Sequence, residues 1–312
     1  MQAVPLRDDP AGSKRIMTAG HLAEELGYDA FFLSDHPAYT PECWLHLAAL
    51  AVTTVRIRLG SAVNCALYRH PVMTARLAAD LDNLSQGRAV LGLGAGWNQT
   101  EFAQLGLPFP STRERLQALE EAIQIILGVW GDEPFTFEGR HFRCTGERIF
   151  PPPYQKPGPP LIVAGGGERH TLRLVAQYAQ ACNFGASDTT GSARTASDIA
   201  RKFDVLRQHC DAIGRRYDDV LRTHFTSWVF VADTDREAKA KLERHHPQPL
   251  NEVQRITRIA GSPETVAAVY QELIDAGFEY FVVQTQDASD LESITLLATE
   301  VIPRLRPVSL LQ

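Results

Sequence analysis

Leu161-Ile162-Val163-Ala164-Gly165-Gly166-Gly167 decides how this 312-residue chain is read. Four consecutive apolar residues are too few for a core helix, and their lack of alternation suits a parallel strand covered on both faces. Three glycines then allow a sharp exit. Glu168–Ala179 follows with helical periodicity, and Ala181–Phe184 is a second short apolar run. The stretch is therefore strand, turn, helix and strand, the repeating unit of an α/β fold.

The same alternation extends in both directions. Towards the N-terminus the pattern predicts strand Gln2–Leu6, helix Ser13–Leu26, strand Ala30–Leu33, helix Pro41–Thr53 and strand Ile57–Val63. Helix Pro71–Leu84, strand Ala89–Leu93 and the long amphipathic helix Ser111–Val129 follow. Towards the C-terminus come helix Ser192–Ile213, strand Thr223–Val231, helix Asp235–Glu243 and an undivided stretch to Gly261. Ser262-Pro263-Glu264 then opens a helix with a cap, a proline at N1 and a first-turn acid, before strand Tyr280–Val283 and helix Ser289–Val301. Eight strand–helix units in one chain favour a closed (β/α)8 TIM barrel over a doubly wound sheet. Residues 131–158 break the rhythm: Phe135–Phe137 and His141–Arg143 read as a small hairpin, and Pro151–Pro160 as an extended connector. Residues 1–312 are expected to form one barrel domain, with 131–158 inserted near its mouth.

Composition bounds the function. The formal net charge is -6, which argues against a nucleic acid, because polyanions need a basic face. No stretch approaches the length of apolar sequence that crosses a membrane. Cys43, Cys65, Cys144, Cys182 and Cys210 are odd in number and widely spaced, which suits neither a disulfide framework nor a metal site and fits a reducing cytoplasm. Met1–Pro10 has no apolar core of a signal peptide. The expected partner is a small molecule.

In such a barrel the reactive groups sit on the loops after the C-terminal ends of the strands. Those loops carry Asp35 and His36, Asn64 and Tyr68, Gly94-Ala95-Gly96-Trp97, Gly165-Gly166-Gly167 and Gly185-Ala186-Ser187. His36 beside Asp35 is placed to move a proton or to bond a neighbouring loop. Gly165–Gly167, with a helix starting near Glu168 and Arg169 in its first turn, suits a phosphate; a tight turn alone would also use such glycines. Gly92-Leu93-Gly94-Ala95-Gly96-Trp97 fails as a dinucleotide fingerprint, because Trp97 stands where a third glycine belongs. Its small residues leave room for a flat ring. His70 belongs to the start of the helix at Pro71, His245-His246 to a solvated surface, and Cys65 to packing, since no base accompanies it.

Leu93–Asn98, Phe109–Arg115, Phe137–Phe142 and Gly165–Leu172, in this order and spacing, resemble the luciferase-like monooxygenase family, and within it the branch of F420-dependent oxidoreductases. The resemblance runs from about Ala19 to Pro303. It implies a barrel holding coenzyme F420, with FMN as the alternative, and hydride transfer to or from a small, apolar organic substrate. A reduced-flavin monooxygenase using O2 and a non-catalytic flavin-binding barrel are the rival readings. It places Asp35 and His36 near the ring edge, and His36 is expected in the proton-transfer or polarising role. Ser61, Ala62 and Asn64 would lie beneath the ring, beside a non-prolyl cis peptide expected at Ser61–Ala62, and Gly94, Ala95 and Gly96 along its side. Gly165, Gly166, Gly167, Arg169, Gly185, Ala186 and Ser187 would hold the phosphate end, and Tyr68 and Trp97 would line the substrate pocket. Trp97 stands where the sugar-phosphate dehydrogenases of the family have a glutamate, and Thr40 where they have a tryptophan, which disfavours a sugar phosphate. Family members are often dimers, so a homodimer is raised as well.

Overall fold

The computed structural model describes residues 1–3, 9–186, 192–285 and 287–306. Its first half runs β1 (Gln2–Ala3), α1 (Gly12–Glu25), β2 (Ala30–Leu33), α2 (Cys43–Thr53), β3 (Arg58–Cys65), α3 (Pro71–Leu84) and β4 (Ala89–Gly94). Then come α4 (Gln99–Gln104), α5 (Thr112–Val129), the hairpin β5 (Phe135–Glu138) and β6 (Arg143–Glu147), β7 (Leu161–Ala164) and α6 (Thr171–Tyr178). The second half holds β8 (Ala181–Phe184), α7 (Ala196–Ala212), β9 (Leu221–Val231), α8 (Asp235–His245), α9 (Glu252–Thr257) and β10 (Ile259–Gly261). It ends with α10 (Pro263–Asp275), β11 (Tyr280–Thr285) and α11 (Leu291–Leu296).

Eight parallel strands close on themselves in the order β1-β2-β3-β4-β7-β8-β9-β11, with β11 returning to β1. This is the predicted α/β barrel. The hairpin β5–β6 stands apart as a two-stranded antiparallel sheet. Alternation along the strands divides the core in two. Ala30, Phe32, Ala62, Val90, Ile162, Ala181 and Val282 form one apolar cluster, which fills the barrel. Their strand neighbours Phe31, Leu33, Leu59, Leu91, Leu93, Val163 and Cys182 join a larger cluster with the helices outside.

The predicted elements shift at their ends, for local reasons. Expected residues 4–6 of the first strand lie outside the described residues. Helix α6 begins at Thr171 rather than Glu168, because 168–170 form a turn. Helix α2 begins at Cys43, where Glu42 caps it through Trp44 N–H at 3.3 Å. The undivided stretch before Gly261 contains α9 and β10, and β10 pairs with Val229–Val231 at the outer end of β9. The pairing changes at Trp228, whose φ of 59° accompanies a slip in register against β11. His245 and His246 are not on a solvated surface: both are half-buried, His246 stacked on Trp228 at 4.6 Å and His245 against Phe230 at 5.6 Å.

Candidate active site

The C-terminal ends of β2, β3 and β4 bring together His36, Tyr68, Trp97 and Glu101. Glu101 lies in the first turn of α4, a helix capped by Asn98, and is fully buried. Its Oε2 bonds His36 Nδ1 at 2.8 Å and accepts from the Tyr68 hydroxyl at 2.7 Å, and its Oε1 accepts from Ala38 N–H at 3.3 Å. Burial and the Glu101 carboxylate both push the Tyr68 phenol pKa up. Trp97 is 61% exposed and meets the His36 ring edge to face, 6.1 Å between centroids. An imidazole, a phenol and a large indole thus share one corner of the barrel mouth.

Asp35 does not orient His36. It pairs instead with Arg69 at 2.6 Å, and Arg69 reaches on to Glu42 at 3.0 Å. Burial raises the Asp35 carboxyl pKa while Arg69 pulls it down. The carboxylate that holds the histidine is Glu101, which is absent from the expectations drawn from sequence. Its signal there is weak: an Asn98-to-Glu101 cap spacing ahead of a six-residue helix with no periodicity to count.

The bulge at the end of β3 lies alongside. Ser61 pairs with Leu91 and Asn64 with Leu93, so two residues of β3 intervene where β4 has one. The non-prolyl cis peptide falls within it at Ala62–Val63, one bond later than the expected Ser61–Ala62. Here Asn64 donates to Ser61 Oγ and to Gly92 O, and Gln2 Nε2 donates to Ala62 O. Gln2 Oε1 and Asn64 Oδ1 are buried and meet no donor among the described residues. A buried acceptor without a donor costs about 1–3 kcal/mol.

The neighbouring glycines fit closely against the end of β3. A Cβ on Gly94 would come within 2.9 Å of Val63, and one on Gly96 within 2.6 Å of Cys65 Sγ. Gly96 also has φ +78°, a left-handed conformation that side chains resist. Ala95 packs against the outer core. Arg115 clasps this loop from α5, donating to Gly96 O at 3.1 Å and Pro110 O at 2.6 Å, with its guanidinium 4.1 Å from the Phe109 ring centre. Cys65 is a packing residue, its thiol pushed up to about 12 by burial. His70 caps α3 as expected.

The glycine-rich loop follows β7, the neighbour of β4 in the barrel. Gly165, at φ +115°, donates to Asn183 O at 2.9 Å, and Leu172 N–H bonds Gly167 O at 3.0 Å. Among the described residues the N–H groups of Gly166 and Gly167 meet no acceptor. Arg169 is exposed in the turn, not in the helix. The cation that reaches the loop is Lys202 of α7, which is 3% exposed and donates to Gly166 O at 2.6 Å, with Glu168 Oε1 at 3.5 Å. It too is absent from those expectations, although Lys202 interrupts the apolar stripe Ile199, Phe203, Leu206, and a buried lysine wants a partner. Gly185 lies against Phe225 O, which a Cβ would approach to 2.4 Å; Ala186 is half-buried, and Ser187 lies outside the described residues.

The profile of the family described as luciferase-like monooxygenase matches residues 4–280. An F420-dependent glucose-6-phosphate dehydrogenase of Kineococcus radiotolerans is 29% identical, over 91% of this chain and 91% of that protein. An F420-dependent hydroxymycolic acid dehydrogenase of Mycobacterium tuberculosis is 27% identical, over 97% of this chain and 88% of the other. Among solved structures, the coenzyme F420 dependent tetrahydromethanopterin reductase of Methanopyrus kandleri superposes with a TM-score of 0.81 at 22% identity. That superposition covers 98% of this chain and 100% of the other, and it bears on the fold.

Proposed function

We propose a function on one premise: the chain belongs to the luciferase-like monooxygenase family. The protein is an oxidoreductase that binds coenzyme F420 and transfers a hydride between it and a small, apolar organic substrate. The observation that carries the reading is His36 at the barrel mouth, held at 2.8 Å by a fully buried carboxylate and flanked by the exposed Trp97.

The residues fit the cofactor at both ends of the mouth. Gln2 Oε1 and Asn64 Oδ1 are acceptors awaiting donors, which the N–H edge of a flavin-like ring carries. The N–H groups of Gly166 and Gly167, with the Lys202 ammonium behind them, suit a phosphate. What F420 supplies when bound is a ring carbon that gives or takes a hydride. His36 gives or takes the matching proton at the substrate oxygen, and the Tyr68–Glu101 pair steadies it. Trp97 presents an apolar face where a sugar phosphate would need polar and cationic partners, which favours an alcohol or ketone with a hydrophobic body.

Titration of cofactor-free protein with F420 and with FMN, followed by fluorescence, tests the reading. Tight binding of F420 alone is the expected result. Preference for FMN would move the protein to oxygen chemistry, and turnover of glucose 6-phosphate at a rate above any secondary alcohol would overturn the apolar substrate.

A further inference from the structure

We propose that Glu101 is a positioning residue that locks His36 in the tautomer with its proton on Nδ1, so that Nε2 is the atom presented to substrate. The inference deepens the proposed function, because it gives the proton-handling histidine a defined chemical face. Three groups converge on the Glu101 carboxylate: the Tyr68 hydroxyl and His36 Nδ1 on Oε2, and Ala38 N–H on Oε1. The hydroxyl and the amide are donors. A carboxylate so surrounded is an acceptor, and an ionised one can only accept. The third partner, Nδ1, must then carry the hydrogen. In the neutral ring one nitrogen is protonated and the other bare, so Nε2 holds the lone pair.

The consequence is directional. With Nδ1–H tied to Glu101, neutral His36 accepts a proton through Nε2 from a substrate hydroxyl, and the protonated ring returns it through the same atom. The ring cannot turn over to offer Nδ1 without breaking the bond to a fully buried carboxylate. Ring packing adds to this restraint, since Trp97 and Tyr39 meet the imidazole at centroid distances of 6.1 and 6.5 Å. Around metal-bound histidines, outer partners that orient the imidazole in this way are worth about 10–100-fold in metal affinity or activity.

Long-range proton–nitrogen spectra of protein labelled at its histidine rings read the tautomer without cofactor or substrate. The His36 signal is assigned by its loss in His36→Gln, and spectra are taken at a pH where the ring is neutral. The wild type is expected to show a protonated Nδ1 and a bare Nε2. A protonated Nε2 in the wild type would overturn the proposal with no variant needed. In Glu101→Gln, where the side-chain amide competes as a donor, Nδ1 is expected to become bare; an unchanged spectrum would overturn the role of Glu101. Tyr68→Phe, which leaves the carboxylate in place, is expected to keep the wild-type tautomer, and a switch as large as that of Glu101→Gln would also count against it. Failure of the F420 titration, by contrast, removes the proposed function and leaves these spectra to decide the positioning alone.

Discussion

Under the proposed function His36 and Lys202 are the two side chains on which the chemistry would turn, and each makes a separable prediction. Replacing His36 with alanine would remove the proposed proton carrier but none of the groups proposed to hold the cofactor. Hydride transfer should fall by about 100-fold or more, the scale of general acid–base catalysis. F420 affinity, read by fluorescence titration, should stay within about threefold, well under the roughly 1.4 kcal/mol that a tenfold change represents. Equal losses in both would place His36 in binding instead. Lys202→Met keeps the bulk of the side chain and deletes its charge beside Gly166 O. A charge-assisted hydrogen bond is worth about 1.5–3 kcal/mol, so F420 binding should weaken by about tenfold or more. Unchanged F420 binding would assign Lys202 to loop packing alone.

At the scale of elements, the β3 bulge and the loop after β4 are locked together by Gly96. Gly96→Ala forces a side chain into the left-handed region and drives its Cβ to 2.6 Å from Cys65 Sγ, so something must move. The conformational strain alone is of order 1–3 kcal/mol. Urea unfolding should show a stability loss of that size, and Cys65→Ala in the same chain should relieve the contact with Sγ but neither the strain nor the 3.1 Å contact with Phe102. Full recovery would mean that Gly96 is needed for space only. This interlock also explains what could be read in the sequence. The long helices α1, α3, α5, α7 and α10 announce themselves through apolar periodicity and caps, such as the Ser111–Glu114 box. Strands β2, β7 and β8 stand out as short apolar runs between glycines and helices. Helices α4 and α9 have six residues each and β10 has three, too few for a period to register. The site suffered most from this, since Glu101 rides on α4. The loops that would hold ligand were found from strand ends and glycines, whereas Glu101 and Lys202 depend on pairings across 65 and 36 residues that no local pattern encodes.

The barrel as a whole should be sensitive to acid, and His224 is the reason. It sits on β9 beneath the loop that starts at Gly185, with its ring 4.9 Å from Phe278 and Nδ1 bonded to Thr226 Oγ1 at 2.9 Å. Burial lowers its pKa from 6.5 to about 4. The folded protein therefore holds a neutral ring where the unfolded chain would already be protonated. Between pH 6.5 and about 4 the unfolded state binds the extra proton, so stability falls as pH drops through that window and is unaffected above it. The full loss is on the order of 3 kcal/mol, since each pH unit across the window costs about 1.36 kcal/mol. Asp35 works in the opposite sense: its carboxyl, raised by burial, takes up a proton in the folded state before the unfolded one, which favours folding as pH falls. A whole-protein profile mixes the two, so the informative measurement is a difference. Urea midpoints of wild type and His224→Gln, taken from about pH 7.5 down to about 4.5, should diverge in slope below pH 6.5, with the variant losing less. Parallel profiles would show that His224 is not the group through which acid loosens the barrel.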